Sequence, residues 1–100
     1  MVLLSGFLEY RPEERDEVRA GLAEVGRRSR EDPGCVEYWW AEDLDVPGRF
    51  RFFECWETEE LLEAHLAMPH EKEFMARFMP LVVGADAHAL DAENWRSAMG

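Results

Sequence analysis

Residues 49–57, RFRFFECWE, constrain the fold more than any other stretch of this chain. Strict alternation puts Phe50, Phe52, Glu54 and Trp56 on one face of a strand and Arg51, Phe53 and Cys55 on the other,. Both faces therefore carry aromatic or apolar groups. In a chain of 100 residues, helices can cover one side of a small sheet but not both. The second side calls for another cover, and a second copy of the same sheet is the simplest one. The pattern predicts a homodimer.

The rest of the chain supplies the partners for that strand. VLLSGFLEY (2–10) is apolar on both alternations and reads as a covered strand,. Pro12 and the acids after it open a helix in which Val18, Leu22, Val25 and Ser29 recur at helical spacing. Arg27, Arg28 and Arg30 close it where the dipole favours cations,. Asp32-Pro33-Gly34 stops the helix, and CVEYWWAE (35–42) forms a hairpin with the 49–57 strand across DLDVPG,. A register pairing Val36 with Glu54 and Tyr38 with Phe52 would place Cys35 opposite Cys55, both as free thiols. Thr58 has the chemistry of a helix N-cap, and TEELLEAHLA is a short helix broken at Pro69,. HEKEFMARFMPLVV continues as a helix with Phe74, Phe78 and Leu81 on one stripe, Gly84 ends it, and residues 86–95 form a closing strand,. Strand, helix, strand, strand, helix pair, strand is the order of a ferredoxin-like α+β domain. The layout is a single domain, 1–100, with an antiparallel sheet and helices on one face.

Composition narrows the function. Twenty-two acids against 11 bases give a net charge of −11, which repels phosphate backbones and argues against nucleic acid as a partner,. The apolar N-terminal stretch lacks a basic leader region and is too short to span a bilayer, so neither a signal peptide nor a membrane segment is expected. Two isolated cysteines point to a reducing cytoplasm,. No glycine-rich dinucleotide or phosphate motif is present. His65 and His70, five apart with Pro69 between them, do not share a helix face as a metal-binding pair would,. No cofactor and no metal are expected.

DPGCVEYWWAED, PGRFRFFECWETEELLEAHLAMPHEKEF and the closing MPLV resemble the antibiotic biosynthesis monooxygenase domain of the dimeric α/β-barrel superfamily. The likeness spans essentially the whole chain and is most specific from Pro47 to Phe74: a Pro-Gly turn, an aromatic strand ending Glu-x-Trp-Glu, then Ala-His-Leu and Pro-His. The resemblance implies a small enzyme that oxygenates quinols or anthrone-like polycyclic phenols with dioxygen and no flavin, metal or haem. The haem-degrading relatives of this scaffold need a histidine about ten residues past the His65 position, where this chain has Met75,. A third reading is a non-catalytic module for binding a small molecule or for dimerisation.

The residues that can meet in such a pocket follow from alternation and helical spacing. Phe52, Glu54 and Trp56 share a strand face, and Trp56 matches the tryptophan of the family pattern. Leu62 and His65 lie three apart on the helix that folds back over that strand. Phe52, Trp56 and Leu62 are expected as substrate contacts, although some aromatic-polyketide oxygenases carry polar groups where Phe52 and Leu62 stand. Glu54 and His65 are expected as the catalytic proton acceptors, Glu54 through a carboxyl pKa raised by apolar surroundings. His70 opens the last helix as a cap or ligand contact, and His88 is a surface strand residue. These expectations place one cavity of a few hundred cubic ångströms under Trp56. The remaining glutamates, Glu71 among them, read as solvated surface.

Overall fold

The computed structural model describes residues 1–100. Its elements are β1 (Val2–Glu9), α1 (Arg15–Ser29), β2 (Cys35–Glu42), β3 (Arg49–Trp56), α2 (Glu59–Leu66), α3 (Pro69–Phe78) and β4 (Gly84–Asp91). The strands pair antiparallel in the order β2-β3-β1-β4. This is the ferredoxin-like α+β arrangement that the element order predicts, with the helices packed on one face.

Helix α1 is entered through a 3₁₀ turn, Pro12–Glu14, where the proline ring supplies a helical φ and needs no hydrogen-bond acceptor,. Its inner stripe of Val18, Leu22, Val25 and Ser29 is buried throughout. Val18, Leu22 and Val25 pack with Leu8, Tyr10, Phe50, Phe74 and Phe78 in the main core, where each large apolar side chain contributes about 1.5–3 kcal/mol. A smaller cluster, Val2, Tyr38, Trp56 and Leu62, sits beneath α2. Gly34 turns the chain into β2 at φ +81, and a Cβ there would lie 2.4 Å from Leu61. Glycine is required at that position on both grounds.

Three boundaries differ from the sequence reading. Helix α3 ends at Phe78 and tightens into a 3₁₀ turn, Met79–Leu81, because Pro80 has no N–H to continue an α-helix,. The closing strand runs Gly84–Asp91, earlier than 86–95, since it is β1 that sets its length. The hairpin register is displaced by two residues where Tyr38 faces Glu54 and Trp40 faces Phe52, and by one where Cys35 faces Trp56. The loop causes this. Asp43 Oδ1 accepts from the backbone of Asp45 at 2.8 Å and of Val46 at 3.2 Å, and the Asp43 N–H bonds the Arg49 carbonyl at 2.9 Å. The ladder thus closes one pair later than the alternation alone suggests. An irregularity between Cys35 and Glu37 takes back one of the two residues at the far end,. Cys35 and Cys55 are therefore not opposite one another, and both are free.

The second face of the sheet is only partly covered by the chain itself. Arg49 lies over the Phe7 ring at 4.2 Å, and Trp95 from the C-terminal segment stacks at 6.4 Å on Phe53, which stacks in turn on Trp39 at 5.8 Å. Trp39, Leu90 and Trp95 remain exposed there. No helix is long and apolar enough to cross a membrane.

Candidate functional site

The two residues after β3, Glu57 and Thr58, turn the chain directly into α2. The Thr58 hydroxyl accepts the Leu61 N–H at 3.2 Å, which fixes the first turn of the helix,. Leu62 and His65 then face inward over their own strand, and both are buried. Glu54, Trp56, Leu62 and His65 converge as alternation and helical spacing predict, but Phe52 does not join them. The cavity expected among them is not one of the main clefts of the molecule. The His65 ring, 2% exposed, fills the space by stacking on the Trp56 indole at 4.5 Å and meeting the Tyr38 ring edge-on at 5.7 Å. Phe52 packs instead against Trp40, with centroids 5.0 Å apart.

What surrounds His65 is a cluster of acids. Its Nδ1 lies 2.8 Å from Asp32 Oδ2, while its Nε2 lies 3.4 Å from Glu71 Oε2 and 3.9 Å from Glu54 Oε1. The Trp56 indole N–H donates to Glu54 Oε1 at 2.9 Å. His70, in the first turn of α3, places its Nε2 2.8 Å from the same Asp32 oxygen. Asp32 thus bridges two imidazoles, and Glu71 Oε2 is buried with no hydrogen-bond partner. No arginine or lysine lies within ion-pair distance of Asp32, Glu54 or Glu71. The charge balance of this interior rests on protons. Burial works against a charge on His65, but the carboxylates of Glu71 and Asp32, joined by Glu54, outweigh it and hold its pKa above the ordinary imidazole value,. Burial lifts the Glu54 pKa above the usual carboxyl range, against the pull of the Trp56 N–H and of His65.

Two of these groups escaped the sequence reading. Asp32 was hidden inside an obvious turn, Asp-Pro-Gly. Glu71 was assigned to solvent, yet the structure buries it at 7% exposure. A signal for Glu71 was available: with Phe74 and Phe78 it forms an i, i+3, i+7 series, so the stripe that buries the phenylalanines also buries the acid. Asp32, His65 and His70 also offer three potential metal-ligand atoms within 4.8 Å of one another. The two histidines do meet although they share no helix face, because α2 and α3 bring the rings together over a third residue. As they stand, both nitrogens are spent on one carboxylate oxygen, which is a hydrogen-bonded bridge.

Two open spaces lie on the outer side of His70. A cleft of about 290 Å³ runs between α1 and α3 over Val25, Phe74 and Phe78, with His70 among its lining residues. A second, polar recess of about 410 Å³ also reaches Asp32 and His70, past Arg27, Arg28 and Glu31. His88 lies exposed on β4.

Residues 1–77 match the family model for antibiotic biosynthesis monooxygenases. The chain is 29% identical over 76 residues to an uncharacterized protein of Synechocystis, and it spans only 52% of that protein's length against 76% of its own. It is 25% identical over 77 residues to a Bacillus subtilis protein, YcnE, provisionally named a monooxygenase, with 77% of this chain and 81% of YcnE aligned. Among solved structures, one from Deinococcus radiodurans, provisionally named for the same family, superposes with a TM-score of 0.88 at 29% identity over the full length of both chains. Rv0793 from Mycobacterium tuberculosis gives 0.86 at 25% identity, covering 96% of this chain and 98% of that one. With the family model spanning every residue of the buried cluster and the fold matching from end to end, the chain belongs to the antibiotic biosynthesis monooxygenase family.

Proposed function

We propose that this protein is a cofactor-independent monooxygenase acting on a quinol or an anthrone-like polycyclic phenol. The observation that carries the reading is His65: a buried imidazole, stacked on Trp56 and set among Asp32, Glu54 and Glu71, with no arginine or lysine paired to these acids. Such a group exists to hold and exchange protons, and proton removal is the step this chemistry asks of a protein. A phenolate or its carbanion form is electron-rich enough to pass one electron to dioxygen. Recombination and loss of water then turn an anthrone methylene into a carbonyl, one oxygen atom entering the product and the other leaving as water. A quinol reacts with the same balance, a ring C–H becoming C–OH as the ring is oxidised to the quinone. His65 and Glu54 are the buried proton acceptors of this network and act on the substrate through Asp32 and His70, while Phe52, Trp56 and Leu62 close its inner side. A homodimer in a reducing cytoplasm completes the reading.

One observation favours the competing reading of a binding or dimerisation module: the interior around His65 is closed. Oxygen consumption separates the two. With a panel of hydroquinones and anthrones, wild-type protein is expected to consume dioxygen, and His65→Ala to lower turnover about a hundredfold, the scale of losing an acid–base group. Uptake no greater than the spontaneous rate across the panel would favour the module.

A further inference from the structure

We infer that the cleft between α1 and α3 is the ring-binding site for a neutral phenol, and that His70 is the group that touches its hydroxyl. The inference rests on the monooxygenase reading for the class of ligand, and on geometry for the place. The interior under α2 has no room, because His65 occupies it. The α1–α3 cleft, at about 290 Å³, is sized for one or two fused rings,. Its shape comes from a particular packing. A Cβ on Gly21 would lie 2.3 Å from the Phe78 ring, so only glycine lets the two helices approach there. The Phe74 and Phe78 rings sit 5.4 Å apart as an aromatic floor, and Arg77 covers the Phe78 ring at 4.9 Å.

The rim selects for charge. Arg77 is paired with Glu17 at 2.9 Å and Arg28 with Glu24 at 2.7 Å. With its arginines matched, the belt offers no spare cation to a carboxylate or phosphate, and Glu73 adds a further acid. A neutral phenol fits. At the end of this cleft stands His70, whose Nε2 is committed to Asp32 while Nδ1 has no partner in the protein. A carboxylate holding one ring nitrogen as a donor leaves the other as an acceptor, the arrangement that turns an imidazole into a base for a hydroxyl. Asp32 and, behind it, His65 are then positioning residues. They fix the His70 ring and its tautomer rather than touching the ligand.

The test uses 1-naphthol as a non-turning-over probe and 1,4-naphthohydroquinone as the substrate. Ala20 lines this cleft and Ala23 lines the separate cleft between α1 and β2, and both are exposed on α1. Ala20→Trp is expected to weaken 1-naphthol binding at least tenfold by calorimetry, while Ala23→Trp leaves it within twofold. His70→Gln should keep binding within a few-fold and lower turnover about a hundredfold. In Asp32→Asn the His70 ring ¹⁵N shifts should report loss of the fixed Nε2–H tautomer, and kcat should fall while KM holds. Absence of 1-naphthol binding, or loss of binding in Ala23→Trp in place of Ala20→Trp, would overturn the site. If 1-naphthol binds and Ala20→Trp blocks it while wild-type protein consumes no oxygen, the site stands and the monooxygenase reading fails.

Discussion

Replacing Asp32 with alanine tests the buried network at its hinge. Asp32 Oδ2 receives both imidazoles at 2.8 Å, and it lies 7% exposed beside a His65 at 2%. Alanine leaves His65 Nδ1 as a buried donor with no acceptor, which costs about 1–3 kcal/mol. His70 is only partly buried and recovers part of its loss from water, adding about 0.5–1 kcal/mol. Removing one of three neighbouring carboxylates gives some repulsion back, so the expected net cost is about 2–3 kcal/mol. For a domain of this size each kcal/mol lowers the melting temperature by about 4–8 °C, so a fall of roughly 10–20 °C is expected. Asp32→Asn keeps one acceptor oxygen and should cost about half as much. Urea unfolding at pH 7 measures both. A cost below about 0.5 kcal/mol for the alanine variant, on the same scale, would refute the claim that Asp32 anchors the two rings.

Stability should also depend on pH in a stated direction. His65 faces Asp32, Glu54, Glu71, Tyr38 and His70, and its pKa is raised in the folded state. The folded protein therefore binds more protons between the unfolded value of 6.5 and the higher folded one. That stabilisation is fully present below the unfolded value and is lost as pH rises through the folded pKa. Glu54, also raised, acts with the same sign from 4.5 upward. Urea midpoints across pH 5–9 should fall with pH in wild-type protein, and the slope above pH 6.5 should flatten in His65→Gln; a rise would contradict the assignment. For the uncovered sheet face, sedimentation at micromolar concentration should give a dimer that Phe53→Asp dissociates and that Glu60→Ala leaves intact. A wild-type monomer would remove the proposed assembly.

Local chemistry made most of the fold legible. The stripe of Val18, Leu22, Val25 and Ser29 predicts the buried face of α1, and alternation in 49–57 predicts which side of β3 meets the helices. Register was less accessible, because it depends on how Asp43 organises a loop through contacts that periodicity does not encode. The site was half visible. Residues on adjacent elements, Glu54, Trp56, Leu62 and His65, could be assembled from spacing alone. Asp32 lies 33 positions from His65 and 38 from His70, and only the packing of the α1–β2 turn against α2 and α3 brings it to both rings. The same packing explains why none of the main clefts opens over Trp56, since a histidine tied to Asp32 is held in place there.

The central claim, that this chain transfers one oxygen atom from dioxygen to a phenolic ring system, is tested most directly with isotope. Under ¹⁸O₂, purified protein and 1,4-naphthohydroquinone should give a hydroxynaphthoquinone carrying one ¹⁸O atom, formed faster than the spontaneous background and in step with oxygen consumed. Product formed only at the background rate, or enzyme-dependent oxidation with no ¹⁸O in the product, would contradict it.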